Sequence, residues 1–118
     1  MQMNSWRKIR LELAQSSEFP KGSVGRAYLV RLPLDDNDLV DEAELLKRPH
    51  LATVRRHWAT DADEAGLVQK VDGVLAMQCN GTSARMLRFD GRPIRLGQQV
   101  SVVEPDGAVL GFRIAGIR

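Results

Sequence analysis

Cysteine and histidine are scarce in this chain of 118 residues, which contains one cysteine, Cys79, and two histidines, His50 and His57. A single cysteine forms no disulfide within the chain, which is typical of proteins from a reducing compartment. The sequence has no Cys-x-x-Cys or His-x-x-x-His pair, and this excludes the usual zinc-binding spacings. We therefore expect neither a metal ion nor another cofactor.

Long apolar runs are also missing. No segment approaches the roughly 20 apolar residues that a membrane-spanning helix needs. The opening residues, MQMNSWRK, are not followed by an apolar stretch of the signal-peptide type. These features predict a cytoplasmic protein of bacterial type, with no membrane partner.

The motifs of several common enzyme classes are absent. The sequence contains no Gly-x-Ser-x-Gly elbow, no Walker-type phosphate loop and no Gly-x-Gly-x-x-Gly loop. The acidic run from Asp35 to Glu44 lacks the glycine and the acid spacing of an EF-hand calcium loop. Cys79 lies in an apolar run with no histidine near it in sequence. These absences favour a binding or interaction module over an enzyme.

Charge of either sign is present in nearly equal amounts. The chain has 17 basic and 15 acidic residues, a net charge of +2 and a pI near 9.0. Nucleic-acid-binding domains usually carry a larger basic excess or a dense basic cluster, so a nucleic-acid-binding barrel ranks behind other functions. Arginine, with 13 residues, outnumbers lysine, with 4. This bias is typical of GC-rich genes, although guanidinium groups also bind carboxylate and phosphate bidentately.

Two turn sequences predict β-hairpins. The Pro-Asp-Gly turn at residues 105–107 follows the alternating Val100 and Val102 and precedes a second alternating run at residues 110–115. Period-two alternation on both sides of such a turn is typical of a hairpin. Asp72-Gly73 lies between two further apolar runs, and Asp-Gly is among the strongest two-residue hairpin signals.

The remaining pattern predicts a mainly β fold. Further strands are predicted over Trp6–Leu13, Gly25–Leu34, Ala52–Trp58, Leu67–Val71, Val74–Cys79 and Ala84–Phe89. Turn signals that recur every eight to twelve residues are typical of barrels and sandwiches, so we expect a small antiparallel β-barrel, or a sandwich, of about six to eight strands. We expect it to form a single domain over residues 1–118.

One short α-helix interrupts this pattern. Asp38 or Asp41 can cap its first turn, and Pro49 ends it after about Arg48. The predicted apolar stripe of the helix consists of Val40, Ala43, Leu46 and Leu39.

An arginine on an inner strand face is the strongest candidate for a site. Alternation places Arg56 between Val54 and Trp58, and it places Arg85 on the same face as Leu87. A buried arginine needs a partner, because an unpaired buried charge is very unfavourable. Either Arg56 forms an internal salt bridge, or Arg56, Trp58 and Arg85 line a pocket for a small anion such as phosphate, a nucleotide or a carboxylate. The pocket alternative also allows a small enzyme.

Some apolar residues have no evident internal partner. Leu29 lies on the opposite face of its strand from Tyr28 and Val30, and Val103 and Val109 lie on the outer faces of the last hairpin. Unpartnered apolar area on a sheet is typical of a contact surface. The sequence therefore predicts self-association, in the simplest case a homodimer, through a sheet face or edge.

Overall fold

A computed structural model describes residues 5–16, 19–79 and 84–118 of the chain. Its strands form one closed antiparallel barrel in which each strand pairs with its neighbours in sequence and the first pairs with the last. The predicted fold class is confirmed, as a barrel and not a sandwich. In chain order the elements are β1 (Trp6–Leu13), β2 (Ser23–Pro33), α1 (Glu42–Lys47), a 3-10 turn (Pro49–Leu51), β3 (Thr53–Trp58), β4 (Glu64–Val71), β5 (Val74–Cys79), β6 (Arg85–Arg88), β7 (Gln99–Val103) and β8 (Val109–Ile117).

The start of β4 differs most from the prediction, which began this strand at Leu67. The strand instead begins at Glu64, and residues 64–66 pair with residues 54–56 of β3. Arg56 is the cross-strand partner of Glu64, and opposite charges at paired positions stabilise a sheet. Glu64 therefore lies within the strand, while the other predicted strands differ by no more than two residues at an end.

Both predicted hairpins are confirmed. Asp72 and Gly73 have φ values of 50° and 81° and connect the paired residues Val71 and Val74. Positive φ at both central residues is the geometry of a type I′ turn. In the last hairpin Gly107 has a φ of 90°, and the Glu104 amide donates to the Ala108 carbonyl at 2.7 Å.

The helix forms where it was predicted, but its predicted apolar stripe is wrong. Asp41 caps it by accepting from the Glu44 amide at 3.1 Å, so the first helical residue is Glu42. With this phase Leu45 faces the barrel and is buried, whereas Leu46 is 76% exposed. The predicted stripe assumed that the helix begins near Val40. Val40 instead forms a β-bridge with Leu34.

The core fills the inside of the barrel with alternate residues of every strand. Its largest fully buried side chains include Tyr28 and Phe112. These two rings lie 5.3 Å apart between centroids, and Trp58 lies 6.1 Å from Tyr28 and 6.4 Å from Phe112. Because the strands alternate in direction, the even-numbered strands all begin at one end of the barrel. We call this the polar end, and the opposite end, which carries α1, the helix end.

Candidate functional site

The first predicted site residue, Arg56, lies inside the barrel near the polar end. Its strand neighbours on the same face are Val54, which is buried, and Trp58, which packs against the core. The Arg56 side chain is only 12% exposed, and its guanidinium lies 4.1 Å from the Trp58 ring centroid. This is cation–π geometry, which suits the weakly hydrated guanidinium group.

Carboxylates of the chain itself contact Arg56. Nη1 of Arg56 lies 3.3 Å from Oε2 of Glu64 and 3.7 Å from Oδ2 of Asp61. Glu64 is 22% exposed and Asp61 is 56% exposed, so the ion pair with Glu64 is the less screened of the two. Of the two alternatives that the sequence leaves open, the internal salt bridge is therefore present.

The second predicted arginine, Arg85, also has an internal carboxylate partner. Nε of Arg85 donates to Oε2 of Glu104 at 2.5 Å, and each side chain is 14% exposed. Burial alone lowers the pKa of Arg85, but the hydrogen bond to Glu104 and the nearby Tyr28 and Glu64 more than offset it, so its pKa is raised. Arg85 therefore stays charged inside the barrel.

Three hydrogen-bonding atoms of this cluster have no partner among the described residues. They are the hydroxyl of Tyr28, Nε of Arg56 and Nη1 of Arg85, and all three are buried. The one other such atom in the described chain, Nε2 of Gln98, lies outside the cluster, just before β7. A buried polar atom without a partner typically costs about 1–3 kcal/mol, and the Tyr28 hydroxyl can both donate and accept, so the cluster has hydrogen-bonding capacity that a bound ligand or buried water can fill.

Tyr28 connects the two ion pairs. It is fully buried and is the cross-strand partner of Arg56. Burial and the Glu104 charge raise the pKa of Tyr28 to about 12, against the opposing effects of the Arg85 charge and of the side-chain interaction with Arg56, which is close to the hydroxyl. The hydroxyl is therefore protonated at neutral pH and available to donate. We define the polar cluster as Tyr28, Arg56, Arg85, Glu64 and Glu104.

A third arginine, Arg26, lies at the polar end of the barrel as the cross-strand partner of Trp58. Its guanidinium is 4.3 Å from the Phe19 ring centroid and 6.0 Å from that of Trp58, and Nη1 donates to Oγ of Ser23 at 3.3 Å. Within the described residues no carboxylate forms an ion pair with it. Sequence reasoning missed Arg26, although alternation on β2 puts it on the face of Tyr28.

Cys79 lies near the polar cluster but is poorly suited to act as a nucleophile. It is buried and pairs with Gly66 across the ladder. Burial and the Glu64 charge raise the pKa of the thiol, although Arg85 and Arg56 oppose them. Since the thiolate is the reactive form, Cys79 is suited to packing and not to nucleophilic attack.

Some site types have no counterpart in the described structure. Residues 5–16, 19–79 and 84–118 include no group of three or more histidine, cysteine, aspartate or glutamate side chains placed to hold a metal ion. None of the helices in these ranges is long and apolar enough to cross a membrane. Comparison of the chain with protein-family models, with curated proteins and with solved structures gives no match.

Proposed function

We propose that this protein is a ligand-binding module whose polar cluster holds a small anion. The observation that carries the proposal is the unused hydrogen-bonding capacity of three buried atoms, the Tyr28 hydroxyl, Nε of Arg56 and Nη1 of Arg85. The oxygens of a carboxylate or phosphate are acceptors only and suit such a set. Each guanidinium uses one atom for its internal carboxylate and keeps another free for a ligand.

The charges of the site favour a monoanion. Glu64 and Glu104 neutralise Arg56 and Arg85, so an anion adds one uncompensated negative charge to the buried cluster. Arg26 beside Trp58 supplies one positive charge, and Asp61, 3.7 Å from Nη1 of Arg56, supplies one more negative charge, so every charge of a bound anion is uncompensated. A small carboxylate therefore ranks ahead of phosphate and of a nucleotide, whose higher negative charge is unfavourable beside Glu64 and Glu104.

Thermal unfolding tests the proposal directly. The melting temperature is measured with acetate, benzoate, phosphate or sulfate, each against chloride at equal ionic strength. An anion present at 100 times its Kd adds about 2.7 kcal/mol to the free energy of unfolding. We expect a carboxylate to give the largest shift.

A matched pair of substitutions locates the response. Arg56→Lys keeps a positive charge for Glu64 but removes the free Nε donor, and we expect it to weaken anion binding at least about tenfold. Arg55→Lys alters the adjacent residue, whose side chain is 59% exposed, and it serves as the control. If no anion raises the melting temperature beyond chloride, or if both variants respond alike, buried water is the better occupant of the cluster.

The other functions stay predictions with less support. An enzyme requires a reactive group, and the raised pKa of Cys79 disfavours the one thiol as nucleophile. A nucleic-acid-binding barrel requires outward basic residues, whereas Arg56 and Arg85 are turned inward; titration with single and double strands at two salt concentrations tests it, because phosphate contacts give a steep salt dependence. We also retain the cytoplasmic location as part of the proposal.

Self-association also stays a prediction, and the closed barrel limits the surfaces through which it can occur. In the closed barrel every described strand has two neighbours, so none offers a free edge and only an outer face remains. Leu29 on β2 is 38% exposed and Val109 on β8 is 60% exposed. Light scattering at micromolar concentration then reports a mass above 13.2 kDa, whereas a monomer across a hundredfold dilution range contradicts the prediction.

A further inference from the structure

The outer face of the barrel over β8, β1, β2 and β3 carries a group of basic side chains. Residues of β1 alternate between the core and the outside, and its core positions include Ile9 and Leu11. Alternation of this kind puts every second residue of a strand on the outer surface. We define the basic face by the cations at these outward positions, which are Lys8, Arg10, Arg31, Arg55 and Arg113.

Strand register brings these cations together. Lys8 is directly opposite Arg31 on the paired strands β1 and β2. Arg10 is opposite Leu29, and Leu29 is in turn opposite Arg55, so these three residues form one row across the sheet. Because neighbouring strands lie about 4.8 Å apart, the backbones of Arg10 and Arg55 are about 10 Å apart along the row. The cations therefore form a continuous patch.

The balance of charge on the basic face is positive after its carboxylates are counted. Glu12 is the one acidic residue at an outward position of these four described strands, and it lies 2.7 Å from Nε of Arg10 and 3.7 Å from Nη2 of Arg113. Asp63, just before β4, lies 3.6 Å from Nη1 of Arg55. Five cations against two carboxylates leave three net positive charges on this face, whereas the whole chain has a net charge of +2. Charge is therefore segregated, and the rest of the chain is net negative.

Among the described residues, no carboxylate forms an ion pair with Lys8 or Arg31. The Arg31 guanidinium instead lies 5.8 Å from the Trp6 ring centroid. Glu44, which accepts from Nε1 of Trp6 at 2.8 Å, is already paired with Arg48 at 2.6 Å. Like charges at directly opposed positions destabilise a sheet, so a carboxylate supplied by a partner relieves the repulsion between Lys8 and Arg31.

Leu29, at the centre of the row, indicates the chemistry of the partner. It is 38% exposed between Arg10 and Arg55, so the row suits carboxylates with an apolar side chain among them. An acidic protein segment supplies both groups. A nucleic-acid backbone supplies no apolar group, and the exposed outward residues of these four described strands include no tryptophan, tyrosine or phenylalanine on which a base can stack.

A second copy of the chain is poorly suited to the basic face. The simplest dimer brings the same patch of both copies together, and the net positive charges of the two patches then repel each other. The predicted self-association therefore depends on Val109, at the start of β8, which is 60% exposed.

We propose that the basic face is a docking surface for an acidic segment of another protein. The carboxylates of the segment bind Lys8, Arg31, Arg10 and Arg55, and an apolar side chain of the segment covers Leu29. Alternate residues of an extended segment lie about 7 Å apart, which is also the spacing of Lys8 and Arg10 along β1. Guanidinium groups suit this partner because they bind carboxylates bidentately. The proposal goes beyond the polar cluster, which lies inside the barrel and shares no residue with the basic face.

The test measures binding of the blocked peptide Glu-Glu-Glu-Leu-Glu-Glu-Glu to the purified full chain by fluorescence anisotropy. We expect this acidic peptide to bind, and its Kd to rise at least about tenfold between about 0.05 M and about 0.5 M salt. Replacement of every glutamate by glutamine is expected to abolish binding, and replacement of the leucine by serine to raise the Kd about threefold or more. No binding of the acidic peptide, or equal binding of the glutamine or serine peptide, overturns the proposal.

Parallel titrations distinguish the other occupants. An oligothymidylate of equal charge represents single-stranded nucleic acid, and phosphatidylserine vesicles represent an anionic membrane. Tighter binding of either than of the acidic peptide, at the same concentration of negative charge, assigns the face to that partner and overturns the proposal. A mass in light scattering that falls to 13.2 kDa only when Lys8 and Arg31 are replaced assigns the face to a second copy and overturns it as well.

Paired double variants separate the basic face from overall charge. Lys8→Gln with Arg31→Gln removes the two opposed cations without breaking a described ion pair, and we expect it to raise the Kd for the acidic peptide at least about fivefold. Arg88→Gln with Arg92→Gln removes the same charge from exposed positions at and after the end of β6 and is expected to leave the Kd unchanged. Similar losses in both contradict the proposed surface. Arg56→Lys is expected to leave peptide binding unchanged, so failure of this proposal is distinguishable from failure of the polar cluster.

Discussion

Tyr28 and Arg56 are directly opposed on the paired strands β2 and β3, and both side chains point into the barrel. Each carries a buried hydrogen-bonding atom with no partner among the described residues, the Tyr28 hydroxyl and the Arg56 Nε. A barrel interior that is otherwise filled by apolar side chains therefore contains two polar groups with unused hydrogen-bonding capacity. The account of function depends on this pair.

The ionisation of Tyr28 provides a prediction about pH. The chain has one tyrosine, so tyrosinate absorbance reports this residue alone. Its pKa in the folded protein is about 12, above the ordinary value of 10.0. The contribution of Tyr28 to stability is therefore fully present below pH 10 and is lost as the pH rises from 10 towards 12. We expect little tyrosinate in the folded protein at pH 10, and half-ionisation at that pH contradicts the burial of the hydroxyl.

Breaking the ion pair of Arg56 is expected to destabilise the protein. Arg56→Met leaves Glu64 without its partner at a site where the carboxylate is 22% exposed, and removal of one member of a buried pair costs about 3 kcal/mol. Arg55→Met, at the exposed neighbouring position, is the control and is expected to change the free energy of unfolding by less than about 0.5 kcal/mol. Urea denaturation measures both, and equal stability of the two variants contradicts an internal ion pair.

A glycine pair tests the packing between β4 and β5. A Cβ atom at Gly66 would lie 1.8 Å from the Gln78 carbonyl oxygen and 2.7 Å from Cα of Cys79, whereas one at Gly111 on β8 meets nothing within 4 Å. Gly66→Ala therefore forces the two strands apart, and we expect it to cost about 3 kcal/mol or more. Gly111→Ala is expected to be tolerated. Comparable denaturation midpoints for the two variants would argue against this close approach.

The thiol of Cys79 offers a probe of the same region. Because its pKa is raised by burial and by Glu64, we expect the native protein to react slowly with a thiol reagent at neutral pH. Addition of denaturant exposes the thiol and should restore the rate of a free cysteine. Rapid reaction of the native protein would contradict the burial of Cys79.

Much of the fold was predictable from local sequence signals. The Asp72-Gly73 and Pro105–Gly107 turns and period-two alternation gave the hairpins and the inward placement of Arg56, since these depend on neighbouring residues. The carboxylate partners of Arg56 and Arg85 were harder to predict from the sequence. Glu64 lay outside the predicted strands, and Glu104 lies 19 residues from Arg85 in sequence, so barrel closure and strand register were needed to bring these carboxylates to the arginines.

The pocket of about 760 Å³ at the helix end was not predictable from the sequence. It combines the segment before α1 with β5, β6 and the turn after β6, and no local pattern encodes the distance between such remote parts. The buried face of α1 was not predictable either, because it depends on which aspartate caps the helix. Asp41, and not Asp38, is the cap.

Tyr28→Phe, compared with the natural protein in thermal unfolding with and without a saturating carboxylate, tests the central claim most directly. The substitution removes only the hydroxyl, which makes no hydrogen bond of normal geometry, although Arg56 is its nearest interacting side chain. The account predicts that the ligand-free variant is as stable as the natural protein to within about 0.5 kcal/mol, or more stable. It also predicts that the rise in melting temperature caused by the carboxylate falls by at least half. A loss of about 1 kcal/mol or more without ligand, together with no response to the carboxylate in either protein, would contradict the account and make the polar cluster purely structural.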